Sequence, residues 1–351
     1  MSRRTVAGLL AVALLLALVV VAARMPAPYV TVSPGPTVNV LGSEHGKPIV
    51  AISGHRTYPT EGQIRLTTVS ITNPDAEVSL VQALSGWLRK DVAVIPREAM
   101  YPDANSPAEE RTQSAAQMVN SQDTAAAVAL SALGYDLSSY VEVTGVTPQG
   151  PSAGRLRTRD RIVSLDGARV RQPQQLLDAM GKVQPGATVT VGVRRDGEPR
   201  TVKITTRRAT DDPDQAVLGI IIGPAWQFPF DVHVGLSDAI GGPSAGLMFA
   251  LSIYDRLTPG SLTGGKVVSG TGTIAPSGQV GPIGGIQQKI VAAGDSGARL
   301  FFVPRDNCAE AMQAPTPDTM RLVLAKNFES ALSSLKTYVK DPSAELPRCP
   351  S

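Results

Sequence analysis

Three features of the 351-residue sequence predict an α/β (α+β) protein preceded by a single transmembrane helix. Strand and helix patterns alternate through the last third of the chain, which argues a layered α/β domain. A stretch of about seventy residues before it carries period-two patterning and hairpin turns, the mark of a β-rich module. At the start, Thr5 to Ala23 run nineteen residues without a charge.

The elements follow in order. The apolar run after Arg3 and Arg4 is long enough to span the hydrocarbon thickness of a bilayer. The two arginines favour a cytoplasmic N-terminus, with the body outside. A cleaved signal peptide is the competing reading, since Ala22, Ala23, Pro26 and Ala27 supply small residues near a cut site. The length of the run favours an uncleaved anchor, residues 1–24. Pro26, Pro28, Pro34 and Pro36 make residues 25–37 an expected extended stalk. Ile49–Ile52 and Gln63–Ile71 read as strands. Asn73 with Pro74 reads as a helix start, and Val78, Val81, Leu84 and Leu88 follow at helical spacing as one apolar face. A second, Ala-rich helix runs from about Ala108 to Leu133 and stops at Gly134. Residues 38–133 thus form an N-terminal strand and helix region.

Residues 134–209 change character. Val141 to Val143 and Arg161 to Leu165 are strand-like, Pro173 to Met180 is a short helix, and Thr188–Val193 pairs with Thr201–Thr205 across an Asp196-Gly197 turn. Residues 210–340 then read as strands Val217–Ile222 and Asp231–Val234, a helix Ser244–Tyr254, a strand Val267–Ser269 and a helix from Ile286. A strand Leu300–Val303 and a helix Phe328–Val339, capped by Asn327, complete the segment. Residues 341–351 are a tail.

Composition narrows the function. The formal net charge of +3 is too small for a nucleic-acid binder. Two cysteines and three histidines exclude a Cys/His zinc module, so no metal or cofactor is expected. There is no Gly-x-x-x-x-Gly-Lys-Ser/Thr segment, and no nucleotide is expected. Cys308 and Cys349 could pair outside the cytoplasm, or remain a buried thiol and a loose tail thiol; the sequence leaves both open.

The residue pair best suited to chemistry is Ser244 and Lys289. Ser244 stands in Gly241-Gly242-Pro243-Ser244-Ala245-Gly246, directly before an apolar helix. A serine there lies beside unpaired helix-start N–H groups, which suit an oxyanion; Gly242 and Ala245 flank it. Lys289 lies among Ile286, Ile290, Val291, Ala292 and Ala293, with no acid between Gln279 and Ala293. Burial there would disfavour its charge and make it a base. The same pentapeptide at Gly150-Pro151-Ser152-Ala153-Gly154 is followed by arginines and has no such lysine, so Ser152 reads as a helix cap.

Val232 to Gly246, Thr271-Gly272, Val280 to Lys289 and Phe301 to Pro304 together resemble the proteolytic domain of Lon proteases. The resemblance implies that Ser244 is the nucleophile and Lys289, 289 − 244 = 45 positions on, its general base. Thr271 would hydrogen bond the lysine. Gly241 and Thr273 stand where the family has acids, which affects fine positioning rather than the pair. Gly150-Pro151-Ser152-Ala153-Gly154 with Leu156, Asp160-Arg161-Ile162 and Leu165-Asp166-Gly167 resembles a bacterial PDZ domain, with Arg159 replacing the usual glycine. There a peptide adds as a strand beside a carboxylate-capturing loop, for which Leu133-Gly134-Tyr135 is the candidate. The combination resembles membrane-anchored PDZ-Lon serine proteases, with the PDZ module inserted in one catalytic fold. It implies an ATP-independent extracytoplasmic serine endopeptidase. Its partners would be polypeptides, the membrane and, by the Lon resemblance, further copies of the chain in a homo-oligomer. A PDZ adaptor with an inactive protease fold is the alternative.

Two other readings are weaker. His233, with Asp231 and Asp238 near it in sequence, permits a Ser-His-Asp triad that would leave Lys289 unexplained. Gly270-Thr271-Gly272 imitates a dinucleotide fingerprint, but Pro276 and Gly278 follow where a helix should. His45 and His55 read as surface residues, and Met248 as core.

Overall fold

The computed structural model describes residues 3–73, 76–101, 107–210, 212–236 and 240–350. Helices are α1 (Arg3–Arg24), α2 (Leu80–Leu88), α3 (Pro107–Ala132), α4 (Pro173–Met180), α5 (Gly246–Leu257), α6 (Ile286–Asp295) and α7 (Phe328–Lys340). Strands are β1 (Tyr29–Asn39), β2 (Val50–Ser53), β3 (Gln63–Ile71), β4 (Ala93–Pro96), β5 (Ser139–Val146), β6 (Arg161–Leu165) and β7 (Thr188–Arg195). The series continues with β8 (Glu198–Thr205), β9 (Ile220–Trp226), β10 (Asp231–Val234), β11 (Val267–Gly270), β12 (Leu300–Pro304) and β13 (Arg321–Ala325). Shorter pieces are identified by residue.

One six-stranded sheet has the order β13-β12-β11-β3-β1-β4. Its first four strands are parallel, and β1 runs antiparallel to β3 and β4. All five residues of β12 are buried, as expected of a parallel strand covered on both faces. Phe302 joins the core beneath α5 and α7, while Phe301 and Val303 join the core beneath α6. The partners β3 and β11 lie about two hundred positions apart, with Ser269 opposite Arg65. The N-terminal region and the C-terminal segment therefore share one sheet.

The residues between them build a second sheet, β8-β7-β6-β5-β9, with its own core around Val141, Ile162, Leu176, Val191 and Ile204. The α3 helix serves both units. Asn120 Nδ2 donates to Thr144 Oγ1 of β5 at 3.4 Å, whereas Ala125, Ala126, Val128, Ala129 and Leu130 lie in the core beneath α5.

Three expectations are corrected. Most of the expected stalk is β1, an interior strand of the large sheet. The helix placed at Asn73-Pro74 begins instead at Leu80, with Ser79 and Gln82 forming a reciprocal capping box; Pro74 lies outside the described residues. Ser152 caps no helix: its hydroxyl donates to Leu218 O at 2.6 Å and ties a turn to the approach to β9. The two cysteines pair, Cys308 with Cys349. Among the described residues one helix, α1, is long and apolar enough to cross a membrane, and none of its residues is buried.

Candidate active site

Two elements meet at Ser244. The chain leaves β10, passes Gly241 and Gly242 and enters α5, where Ala245 occupies the cap position without a side-chain cap bond. Gly242 has φ +84°, a conformation costly for residues with a Cβ. This turn is held from α3: Gly242 N–H donates to Ser114 O at 3.2 Å, and Ser121 Oγ donates to Pro243 O at 3.0 Å. From the other side, the Ser244 carbonyl accepts from Gly272 N–H at 2.8 Å and from Thr271 Oγ1 at 3.0 Å. Gly272 O in turn accepts from Leu247 N–H at 3.2 Å. The serine backbone is thus clamped between the segment after β11 and the start of α5.

Lys289 reaches the same point from α6. Its Nζ is hydrogen-bonded to Ser244 Oγ at 2.8 Å and lies 3.4 Å from Thr271 Oγ1. The lysine is 3% exposed, and the same helix buries Ile286, Ile290, Ala292 and Ala293. No carboxylate among the described residues forms a salt bridge with it. Desolvation by burial therefore acts unopposed and lowers its pKa from the ordinary 10.5 to about 8. At pH 7 about a tenth of such amines is uncharged, and an uncharged amine 2.8 Å from a hydroxyl can accept its proton.

Ser244, Lys289, Thr271 and Ala245 are thus brought together. The Gly242 N–H is taken by Ser114, while the Ala245 N–H meets no acceptor among the described residues, leaving it free for an oxyanion. His233 is exposed on β10 and makes no hydrogen bond to Ser244 among the described residues; Asp238 lies outside them. The sequence reading missed Ser114 and Ser121. Polar positions on an Ala-rich helix, more than a hundred residues from the turn they support, carry no local signal.

The proposed peptide-capturing loop is also displaced. Leu133 and Tyr135 pack against the core beneath α5, where α3 ends and Gly134 turns with φ +90°. The Tyr135 hydroxyl is 3.0 Å from His55 Nε2, and its ring meets Phe230 edge-on at 5.6 Å. The edges of the smaller sheet are β8 and β9; α4 approaches β9, and the chain enters β9 through Leu218 and Gly219. Arg159, in the glycine position, has φ +73° and ion-pairs with Asp123 of α3 at 2.7 Å and Glu142 of β5 at 3.0 Å.

Comparison with known proteins finds two matched regions. Residues 116–206 match the model of the PDZ domain family, and residues 226–336 match that of the Lon protease (S16) C-terminal proteolytic domain. Lon protease 2 of Bacillus subtilis is 30% identical over 120 residues, covering 34% of this chain and 21% of that protein. The Lon protease of Phenylobacterium zucineum is 33% identical over 109 residues, covering 30% of this chain and 14% of that one. The matched segments thus span about a fifth or less of these relatives' length. Among solved structures, the PDZ domain of an SdrC-like protein from Listeria monocytogenes aligns at 23% identity, 24% of this chain, 86% of that one and a TM-score of 0.23. The chain joins a PDZ domain to a Lon-type proteolytic domain.

Proposed function

We propose that the protein is an ATP-independent, extracytoplasmic serine endopeptidase that works through a Ser244–Lys289 dyad. The observation that carries this reading is the 2.8 Å contact between a buried, carboxylate-free lysine and a half-buried serine. Uncharged Lys289 takes the Ser244 proton as Oγ attacks the substrate carbonyl, and the Ala245 N–H donates to the oxyanion. The Lys289 ammonium then protonates the departing amine as the carbon–nitrogen bond breaks. Water, losing its proton to Lys289, hydrolyses the acyl-enzyme and restores the serine. Thr271, bonded to both the serine carbonyl and the lysine, fixes the two relative to each other.

The location is supported by α1, by Arg3 and Arg4 at its start, and by the Cys308–Cys349 disulfide, which suits an oxidising compartment. In this reading α1 anchors the body outside the membrane. The PDZ module recruits unfolded or C-terminally exposed polypeptides along β9.

The test is hydrolysis of an unfolded protein such as casein by the purified chain and by Ser244→Ala. Activity should vanish with the hydroxyl. Unchanged cleavage by Ser244→Ala excludes the dyad. Absence of cleavage by either form, with a C-terminal peptide still bound, selects the tethered adaptor.

A further inference from the structure

The α2 helix is divided into sectors that an ordinary amphipathic helix lacks. Ala83 and Gly86 are buried, and a Cβ on Gly86 would meet Val94 and Val92 beside β4, so this side packs on the sheet. Ser85 and Arg89 define a polar side. Between the two stand Val81, Leu84, Trp87 and Leu88, which are 48%, 47%, 52% and 88% exposed. At roughly 100° per residue, Val81, Leu84 and Leu88 fall within about 60° of one another. The apolar spacing legible in the sequence is therefore real, but it faces solvent.

The place of this face in the fold identifies what covers it. The Leu80 N–H donates to Met25 O at 3.1 Å, one residue beyond the end of α1. Pro26–Ala27 pairs with Val78–Ser79, and α1 packs against α2. If α1 spans a bilayer, its exit point fixes the first turn of α2 at the membrane surface. The whole nine-residue helix is only about 13 Å long, at 1.5 Å per residue. Met25, whose carbonyl accepts from the Leu80 N–H, is itself exposed and apolar. Trp87 brings the ring type that favours the headgroup level, and Lys90 places a cation beside the helix end.

We infer that α2 is an interfacial helix whose Val81, Leu84, Trp87 and Leu88 enter the outer-leaflet lipid. It thereby holds the catalytic body against the bilayer rather than letting it swing from a flexible stalk. The inference rests on the anchoring reading and goes beyond it.

The experiment uses the full chain reconstituted in phosphatidylcholine–phosphatidylglycerol vesicles. Trp226→Phe leaves Trp87 as the sole tryptophan, because the chain has two. Brominated acyl chains should quench more than half of its emission, with the maximum shifted to shorter wavelength. As an independent probe that tolerates any misfolding of that variant, Leu88→Cys carrying an environment-sensitive dye should show the same quenching. Val81→Asp combined with Leu84→Asp should remove the dye response at position 88 while α1 stays resistant to alkaline extraction. Resistance of α1 to extraction with neither probe quenched overturns interfacial docking alone. Shielding of both probes from acrylamide without bromolipid quenching also overturns it and makes a second copy of the chain the occupant. Extraction of the wild-type chain at alkaline pH overturns both the anchor and the docking.

Discussion

A lysine in water holds its proton until about pH 10.4, so a lysine base requires an environment that reverses that preference. Around Lys289 the reversal comes from burial alone, which brings its pKa to about 8. Two consequences follow. The uncharged fraction rises about tenfold per pH unit below 8 and then levels, so kcat/KM should climb on that curve and flatten above it. Burial of the charge also costs stability. The unfolded chain binds more protons than the folded one between about pH 8 and 10.5, so this contribution to stability rises with pH across that window. Lys289→Met should therefore be inactive yet melt at a higher temperature than wild type at pH 7, with the difference shrinking towards pH 10.5. Calorimetry at several pH values reads this directly; a variant that melts lower at pH 7 would show that the amine is not buried with an uncompensated charge. Ser244 and Lys289 stand out in the sequence because a serine before an apolar helix and an unpaired lysine within another are local anomalies. Ser121 and Ser114 were not legible, because their contribution is a carbonyl and a hydroxyl offered across the fold.

Among elements, β1 shows why the sequence misled. Pro34 and Pro36 within it, and Pro26 and Pro28 just before it, argue against a ladder strand. Here the pairing of β1 with β3 shifts register between Pro34 and Thr37, so the missing N–H groups of Pro34 and Pro36 fall where the ladder is interrupted. By contrast, β3, α4 and α6 were read within a residue or two, because their apolar periodicity and end signals agree with their tertiary setting. The tail was left undecided and proves to be bound. Leu346 is buried, Leu324 N–H donates to Pro347 O at 2.9 Å, and Cys349 closes a disulfide 41 positions long onto Cys308. Beside that cysteine, Asn307 clamps Ile283 through both its N–H and its carbonyl, on the segment leading to α6. Chain-entropy arguments give such a loop about 4 kcal/mol. Cys349→Ser should lower the free energy of unfolding by roughly that amount in urea titrations. A reducing agent should bring the wild type to the same midpoint and leave the variant unchanged. Equal midpoints for oxidised wild type and variant would mean that the tail holds without the bond.

Across the whole molecule, the question is how the smaller sheet, which lies between β3 and β11 in sequence, can matter to a serine in the other unit. The two units have separate cores, and α3, buried in the larger one, also packs against β5 and β9 of the smaller sheet. Its contacts are arranged in sequence. Asn120 lies over β5 and β9, Ser121 holds the Pro243 carbonyl one residue before the serine, and Asp123 takes Arg159 from the PDZ side. Residues 125–130 then enter the core beneath α5. A displacement of β9 against Asn120 is therefore one residue from the support of the Ser244 turn. A Cβ on Gly223 of β9 would overlap the Asn120 side chain of α3. Gly223→Ala should push α3 away from the smaller sheet without removing anything from either core. A misplacement of about 1 Å at the serine would reduce kcat by roughly one to two powers of ten, with KM for a short peptide little changed. Asn120→Ala clears the space that the new methyl needs, so the double variant should recover most of kcat, a rescue that simple destabilisation by either change would not produce. If Gly223→Ala retains full kcat while its melting curve matches wild type, α3 does not transmit strain and the two units act independently. If kcat falls and Asn120→Ala restores it, contact at β9 and chemistry at Ser244 are linked through one helix.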